Sequence, residues 1–150
     1  MHTVETVVSF EAAHRLYDVA TYSEECRDNI HGHSYKVTFV VGREELNDAG
    51  MVVDFKLLKT IIRQQIEDVY DHSCILKNND PLAEPISANC NKVILVDDNP
   101  TAEWMAKEYF NAIQPILSAS DDQLKVISVS VQETENNIAT YSIGGRCKCE

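Results

Sequence analysis

The chain is poor in positive charge, and this shortage argues against one class of partner. Its 150 residues contain 13 Lys and Arg against 24 Asp and Glu, for a formal net charge of −11, and no cluster of Lys and Arg exceeds two residues. Binding a nucleic acid requires a dense basic face. We therefore expect no nucleic-acid partner, and a phosphorylated small molecule would have to meet a few local cations against an unfavourable overall field.

The chain also lacks long apolar runs and a paired set of cysteines. No apolar stretch approaches the roughly 20 residues that cross a bilayer, and "MHTVETVVSFEAAHRL" has neither the basic region nor the cleavage site of a secretory signal. The five cysteines are odd in number and scattered, which does not indicate a disulfide framework. These absences predict a cytoplasmic protein with no membrane partner.

The rest of the composition is that of an ordinary globular domain, with 44% hydrophobic and 25% charged residues. A chain of this length can bury a sizeable core. Because it contains neither an internal repeat nor a domain boundary, we expect a single domain over residues 1–150.

The hydrophobic pattern predicts strand pairs at both ends of the chain and two helices between them. Alternating apolar residues indicate strands at 3–10, 34–42, 124–134 and 136–143, with a short further strand at 51–54. Helices are expected at 55–70, capped by Asp54, and at 99–117, with Pro100 in the first turn and Pro115 at the end. This order predicts an α+β fold in which a four-stranded antiparallel sheet of two hairpins carries two helices on one face.

Two segments are expected to lie outside these elements. Residues 17–29 are polar and non-periodic, so they predict a loop, and residues 77–99 predict an ordered connection with a short apolar piece, "VILV". The apolar positions of the two helices predict these buried residues: Phe55, Leu58, Ile61, Ile62, Ile66, Val69, Trp104, Met105, Tyr109, Ala112, Ile113 and Ile116.

Three histidines occur where the first two predicted strands should meet. In "IHGHSYKVTFVVG", His31 and His33 are two residues apart at the start of a strand, with Gly32 between them. Alternate residues of a strand point to the same face, about 7 Å apart along the chain. If the first two strands form an antiparallel hairpin, His14 in "FEAAHRL" lies beside this pair.

Three neutral imidazoles with no fourth protein ligand are the ligand set of a catalytic zinc site. The alternative is two exposed strand histidines and an unrelated third, which the H-x-H spacing alone would favour. The position of His14 beside the pair favours the metal. Zinc is preferred over iron or copper because no carboxylate or thiolate completes a redox-type ligand set.

Three further places carry groups suited to proton transfer or substrate binding. Cys26 lies in the loop before the histidines, as a reactive thiol, an ordinary thiol or a fourth zinc ligand. Asp71 can orient the adjacent His72, although a helix C-terminus favours a histidine in any case. Glu133 ends a strand as a solvated residue or as an acceptor for the N–H donors of a flat heterocycle. The remaining cysteines receive no function: Cys74, Cys90, Cys147 and Cys149.

Six segments together resemble one family. They are "SFEAAHRL", a cysteine followed by "HGHSYKV", "GMVVDFKLLK", "DHSCIL", "NPTAEW" and "VSVQETENNIATY". In this order they resemble the 6-pyruvoyltetrahydropterin synthase family, which includes the bacterial 6-carboxytetrahydropterin synthases of queuosine biosynthesis. The similarity covers nearly the whole chain.

The resemblance implies a fold and a metal. The family has the tunnelling fold (T-fold), whose subunits close into trimeric barrels that stack as hexamers with the sites at subunit boundaries. By the same resemblance, His14, His31 and His33 bind Zn²⁺.

The resemblance also implies roles for five other residues. Cys26 would be the catalytic thiol, and Asp71 with His72 the second proton-transfer pair. Glu133 would anchor the pterin ring, with Thr101 of "PTAE" nearby. The C-x4-H spacing after Cys26 departs from both the C-x3-HGH of the bacterial carboxy-forming enzymes and the longer C-x5-HGH of the animal enzymes, so it leaves the product open.

The implied reaction converts 7,8-dihydroneopterin triphosphate to 6-carboxy-5,6,7,8-tetrahydropterin with release of acetaldehyde and triphosphate. We favour this branch because "FEAAHRL" and "ETENNIATY" are more similar to bacterial than to animal members. The alternatives are 6-pyruvoyltetrahydropterin formation and a zinc-stabilised pterin-binding homologue without catalysis. A zinc hydrolase is less favoured because no carboxylate is expected beside the histidines.

Overall fold

One sheet and one layer of helices make up the described part of the chain, which in this computed structural model is residues 1–20 and 23–143. The sheet order is β4-β3-β1-β2-β5-β6. The strands are β1 His2–His14, β2 His31–Arg43, β3 Ser73–Lys77, β4 Val93–Val96, β5 Lys125–Thr134 and β6 Asn137–Ser142. The helices are α1 Glu24–Asp28, α2 Phe55–Ile62, α3 Asp68–Tyr70, α4 Ala83–Ser87 and α5 Ala102–Ser120, with a π-helical segment at Arg63–Glu67 between α2 and α3.

The two expected hairpins form the antiparallel centre of the sheet. β1 pairs with β2 along its full length, from His2 opposite Arg43 to His14 opposite His31. β2 then pairs antiparallel with β5, and β5 with β6 through the turn in "TENN". Alternation sends every second residue of each strand into the core. The two longest strands bury Val8, Phe10, Ala12, Tyr35, Val37, Phe39 and Val41.

The helices cover this buried face. Asp54 caps α2 by accepting hydrogen bonds from the backbone N–H groups of Lys56 and Leu57, as expected. The core residues of the helices are Leu58, Ile62, Ile66, Met105, Tyr109, Ile113 and Leu117. Three residues expected to be buried are instead exposed: Phe55, Val69 and Ala112. None of the helices within the described ranges is long and apolar enough to cross a bilayer.

The second long helix begins and ends later than the prolines suggested. Its N-cap is Thr101, so Pro100 precedes the helix instead of occupying its first turn. Pro115 lies inside the helix, which continues to Ser120. The ring is on the exposed side of α5, where the missing backbone hydrogen bond leaves a carbonyl near water instead of in the core.

The sheet has two strands that the sequence pattern did not predict as such. β3 pairs parallel with β1 through Ala12–His14, and β4, which is the "VILV" piece, pairs parallel with β3. The connection also contains α4, and the expected loop at 17–29 contains α1. The expected strand at 51–54 is wrong, because these residues only lead into the cap of α2. Cys147 and Cys149 lie outside the described residues.

A buried ion pair anchors the connection to the end of β1. Arg15 Nε donates to Asp80 Oδ2 at 2.7 Å, and the Asp80 side chain is fully buried while that of Arg15 is 12% exposed. Asp80 Oδ1 also accepts the backbone N–H of Leu82 at 2.8 Å. Removing one member of such a pair leaves the other charge buried without a partner.

Asp80→Ala is therefore expected to lower the free energy of unfolding by about 3–5 kcal/mol. Guanidinium denaturation of the two proteins measures the difference. The matched control is Asp68→Ala, because Asp68 pairs with Arg63 at 3.5 Å on the surface, with both side chains more than half exposed. Little or no change is expected there. Equal losses in the two variants would contradict a special contribution of the buried pair.

Candidate metal centre and active site

The core-facing rows of three strands end in polar side chains at the same end of the sheet. The row of β1 ends at His14, and the row of β2 begins with His31 and His33 before Tyr35. The pairing of β2 with β5 extends to Lys36 opposite Gln132, so Glu133 follows next to the start of β2. Sheet alternation therefore places three imidazoles and a carboxylate together.

The three histidines form a compact group of ligand atoms. One ring nitrogen from each of His14, His31 and His33 lies within 4.8 Å of the others. His14 and His31 are direct partners across the two strands, as the hairpin predicted. His14 is buried, and the other two are partly exposed. In the described ranges this compact group contains no cysteine, so the structure does not support Cys26 as a fourth ligand.

Hydrogen bonds fix which ring nitrogen of two histidines carries the proton. His14 Nδ1 lies 2.8 Å from the carbonyl oxygen of Pro100, and His31 Nδ1 lies 3.1 Å from that of Asn29. A carbonyl oxygen only accepts, so each Nδ1 is the donor and each Nε2 has a lone pair. These two Nε2 atoms lie 3.1 Å apart. Two lone pairs at this distance repel each other unless a cation lies between them, so the geometry fits a metal ion.

The surroundings of His14 and His33 favour their neutral form, which is the form that binds metals. Burial lowers the pKa of His14 to about 4, with smaller contributions from His31 and His33. Burial also lowers the pKa of His33, while the carboxylate of Glu133 opposes this shift. His33 Nε2 is buried and has no hydrogen-bond partner among the described residues. An unpaired buried polar atom is costly, and a bound metal ion would satisfy this nitrogen if it carries the lone pair.

Aromatic rings packed against the histidines account for their burial. The ring of Tyr35 lies edge-on to those of His14 and His33, with centroids 6.0 and 5.6 Å away. Tyr35 in turn stacks on Phe10, which contacts Tyr109. The group of three histidines thus lies where the apolar core meets the end of the sheet.

Glu133 lies closer to the histidines than the sequence suggested. Its Oε1 is 3.4 Å from His14 Nε2 and 3.7 Å from His33 Nε2. The expectation that no carboxylate lies beside the histidines is therefore wrong. The absence of a carboxylate was a reason to prefer zinc over iron and a reason to disfavour a hydrolase. Neither conclusion can now use that reason. A signal existed in the sequence, because Glu133 is two residues beyond Val131 in the core-facing row of β5.

A cavity of about 480 Å³ opens beside His14 and Glu133. This volume falls in the range of small-molecule sites. Thr101 lines it too, and its hydroxyl oxygen caps α5 by accepting the backbone N–H of Trp104 at 3.2 Å. The hydroxyl proton of Thr101 is not used by that cap. Residues 136–139 of the last hairpin also line this cavity, a role that no pattern in the sequence indicates.

Cys26 lies in the short helix α1, which is held against the end of β1. Its carbonyl oxygen accepts the backbone N–H of Leu16 at 3.0 Å, two residues after His14. Its own N–H donates to Ser23 Oγ at 3.4 Å. The thiol is half-buried and belongs to no disulfide. The fold therefore brings the segment of Cys26 to the residues that follow His14.

Asp71 and His72 are in contact, which adjacent residues need not be. Asp71 Oδ2 accepts a hydrogen bond from His72 Nδ1 at 2.8 Å, and Asp71 Oδ1 accepts the backbone N–H of Glu11 at 3.0 Å. The bond from Glu11 and then that from His72 lower the pKa of Asp71. His72 adopts a left-handed backbone with φ 58° and its side chain is 80% exposed. This backbone is uncommon for a residue with a side chain and often marks functional positions.

His72 lines a second cavity of about 380 Å³ together with Gly32, His33 and Ser34. The first cavity, with His14 and Glu133, is a different one. Within a single chain, the structure does not bring His72 and Glu133 into one cavity. His33 is the residue that connects them, since it lines the second cavity and lies 3.7 Å from Glu133.

Comparison with known proteins shows the family. A sequence profile described as "6-pyruvoyl tetrahydropterin synthase" matches residues 3–143. A protein from Rickettsia conorii named 6-carboxy-5,6,7,8-tetrahydropterin synthase is 32% identical over 131 residues, which are 86% of this chain and 91% of that protein.

Solved structures show the fold. An uncharacterized protein from Wolinella succinogenes superposes with a TM-score of 0.79 at 23% identity, covering 95% of this chain and 98% of that one. The 6-pyruvoyl tetrahydropterin synthase of Caenorhabditis elegans superposes with a TM-score of 0.66 at 27% identity, covering 94% of each chain. The expected tunnelling fold is thereby confirmed, with two short parallel strands added to the expected four. The chain belongs to the 6-pyruvoyl tetrahydropterin synthase family and is an enzyme of that type.

Proposed function

We propose that the chain converts 7,8-dihydroneopterin triphosphate to 6-carboxy-5,6,7,8-tetrahydropterin, releasing acetaldehyde and triphosphate. The observation that carries the proposal is the compact group of His14, His31 and His33 beside a cavity that Glu133 also lines. The name of the Rickettsia conorii relative supports the carboxy product. We propose Zn²⁺ as the resident ion because three neutral imidazoles are a catalytic zinc ligand set.

Zinc held by these histidines would act as a Lewis acid that polarises the side-chain oxygens of the substrate and makes their protons more acidic. The chain's own groups would orient the pterin and move protons. Glu133 as a carboxylate only accepts hydrogen bonds, which suits the N–H edge of the ring. Thr101 can donate its free hydroxyl proton to the same ligand. Holding the ring in this way shortens the paths of the transfers.

Cys26 and His72 would carry the protons between ring and side-chain carbons. The hydrogen bond from His72 Nδ1 to Asp71 leaves His72 Nε2 free to accept or return a proton, as in a general base. The exposure of His72 supports this role, since a substrate can reach the ring. Removal of a proton beside the ring would be followed by loss of triphosphate. Water would then add to the side-chain carbonyl next to the ring, so that cleavage of the bond to the next side-chain carbon releases acetaldehyde and leaves the carboxylate.

We further propose that the working form is a homo-oligomer, a trimer or hexamer with sites at subunit boundaries. Among the described residues, β1 meets β3 only at Ala12–His14, so the rest of that edge lacks a strand partner. β6 forms the other edge of the sheet. Unpaired edges are templates for another chain, and the side chains of Val7, Phe55 and Ile138 are 44%, 52% and 60% exposed. A neighbouring chain would also supply cations for the triphosphate. The cytoplasmic location stays a prediction from the sequence pattern, with which the scattered cysteines agree.

Incubation with 7,8-dihydroneopterin triphosphate, with and without a chelator, tests the reaction. Mass analysis should give the carboxylated pterin and an equal amount of acetaldehyde, and chelation should stop both, since the metal supplies several kcal/mol of transition-state stabilisation. A pyruvoyl product without acetaldehyde would indicate the synthase reaction named for the Caenorhabditis elegans protein. Dihydroneopterin with fewer phosphates would indicate hydrolysis with Glu133 as the base. Either result would overturn the proposed product.

A further inference from the structure

The segment that follows His14 is held at each of its residues. We call Arg15, Leu16 and Tyr17 the tether. The guanidinium of Arg15 donates to the buried Asp80 at 2.7 Å, and its Nη1 donates to the carbonyl oxygen of Asp28 at 3.4 Å. The N–H of Leu16 donates to the carbonyl oxygen of Cys26. The tether therefore contacts both the helix of Cys26 and the connection of residues 77–99.

Asn99, at the other end of the connection, forms hydrogen bonds with Tyr17, the third residue of the tether. Asn99 Oδ1 accepts the N–H of Tyr17 at 2.7 Å, and Asn99 Nδ2 donates to the carbonyl oxygen of Tyr17 at 2.9 Å. Such a reciprocal pair fixes the backbone of Tyr17 on both sides of its Cα atom, through two successive peptide units. The Arg15 guanidinium lies over the Tyr17 ring, 5.5 Å from its centroid. Asp80 and Asn99 thus hold the tether at both of its ends.

The same connection also orients the metal-binding histidine. Asn99 directly precedes Pro100, whose carbonyl oxygen accepts the Nδ1–H of His14 at 2.8 Å. An outer partner of this kind sets the direction of a ligand's lone pair. The connection therefore leads directly into the residue that contacts His14, and it contacts the segment of Cys26 through the tether.

We infer that the connection of residues 77–99 is a positioning element, in which Asp80 and Asn99 hold Cys26 and His14 at a fixed separation through the tether. The inference rests on the proposed function, which gives a reason for holding a thiol near metal-binding histidines. Neither Asp80 nor Asn99 is a catalytic residue in this account. A misplacement of about 1 Å at a reacting group can cost a hundredfold in rate, so a rigid support of this kind has a function.

Asn99→Ala tests the inference on the full-length, zinc-loaded protein. Iodoacetamide alkylation is followed at each cysteine separately by peptide mass spectrometry. Loss of two hydrogen bonds should raise the alkylation rate of Cys26 by about tenfold, while Cys74 and Cys90 keep their rates. kcat should fall by about tenfold with KM unchanged. Asn99→Asp keeps the oxygen that accepts from Tyr17, so it should recover part of the effect.

Asn89→Ala is the matched control. Asn89 lies in the same connection, and its side-chain amide donates to the nearby carbonyl oxygen of Pro85, four residues earlier in the chain. It should behave like the unaltered protein. Asp80→Asn should also raise the alkylation rate of Cys26 selectively. If Asp80→Asn does not fold, the result for Asn99→Ala alone decides between the two outcomes. Equal alkylation of Cys26 in Asn99→Ala and Asn89→Ala would overturn the inference. So would a joint rise at all three cysteines, which indicates general unfolding.

These outcomes are separable from the failure of the proposed function. Alkylation reports on the position of Cys26 without any pterin. A selective rise at Cys26 in a protein that converts no pterin would support the positioning element and contradict the proposed function. If the protein converts the pterin but the alkylation rate of Cys26 does not change in Asn99→Ala, the proposed function is supported and the positioning element is contradicted.

Discussion

Replacing His31 with alanine is expected to remove the bound metal and with it the pterin reaction. His31 supplies one of three nitrogens within 4.8 Å of one another. Even outer partners of metal ligands contribute tenfold to a hundredfold in affinity, so loss of a ligand should cost about a hundredfold or more. Turnover should fall by about a thousandfold, since the ion supplies several kcal/mol of transition-state stabilisation. Zinc content per chain and turnover are the measurements.

The same variant separates metal binding from damage to the fold. Excess zinc at a hundred times its Kd should stabilise the unaltered protein by about 2.7 kcal/mol and leave His31→Ala unchanged. In the metal-free state the replacement removes one of two facing lone pairs, so the free energy of unfolding should not fall. The control is His2→Ala, because His2 is exposed at the other end of β1. Retention of zinc and activity by His31→Ala would contradict the ligand assignment.

Replacing Cys26 with alanine should abolish turnover while leaving the metal in place. General acid–base groups contribute about 10²–10⁴-fold, so a loss of that size is expected if the thiol transfers a proton. Zinc content should be unchanged, because the compact ligand group contains the three histidines and not Cys26. This combination separates an enzyme from a zinc-stabilised pterin-binding protein.

Cys90→Ala is the control for this experiment, since Cys90 is exposed and reduced. It should retain both turnover and zinc. If Cys26→Ala retained its turnover, the catalytic role of the thiol would be wrong. If it lost zinc, Cys26 would be a fourth ligand and the site structural.

The sequence predicted the parts of the fold and site that depend on local alternation. The H-x-H spacing and the hairpin together placed His14 opposite His31, which the register of β1 and β2 confirms. The alternation over residues 34–42 likewise predicts a strand, and in β2 its row of Tyr35, Val37 and Phe39 is fully buried. These features require only the two-residue period of a strand and a pairing of neighbours in the chain.

The features that were missed depend on contacts between distant segments. The parallel pairing of β3 with β1 joins Ala12–His14 to residues about sixty positions later. The sequence of a five-residue strand does not predict which strand it pairs with. The approach of Glu133 to His14 follows from the register of β5 against β2. Pro115 predicts a helix end, but the helix continues to Ser120, because on the exposed side of α5 the missing N–H is tolerated.

The central claim is that the three histidines bind one divalent cation and leave it a coordination position for substrate. Titration of the metal-free protein with Co²⁺, followed by visible absorption, tests it most directly, because Co²⁺ occupies zinc sites and reports its ligands. We predict one Co²⁺ per chain with the bands of a four-coordinate ion, no thiolate-to-metal charge-transfer band, and a spectrum that changes when a pterin binds. Absence of saturable binding, or a charge-transfer band that disappears in Cys26→Ala, would contradict the claim.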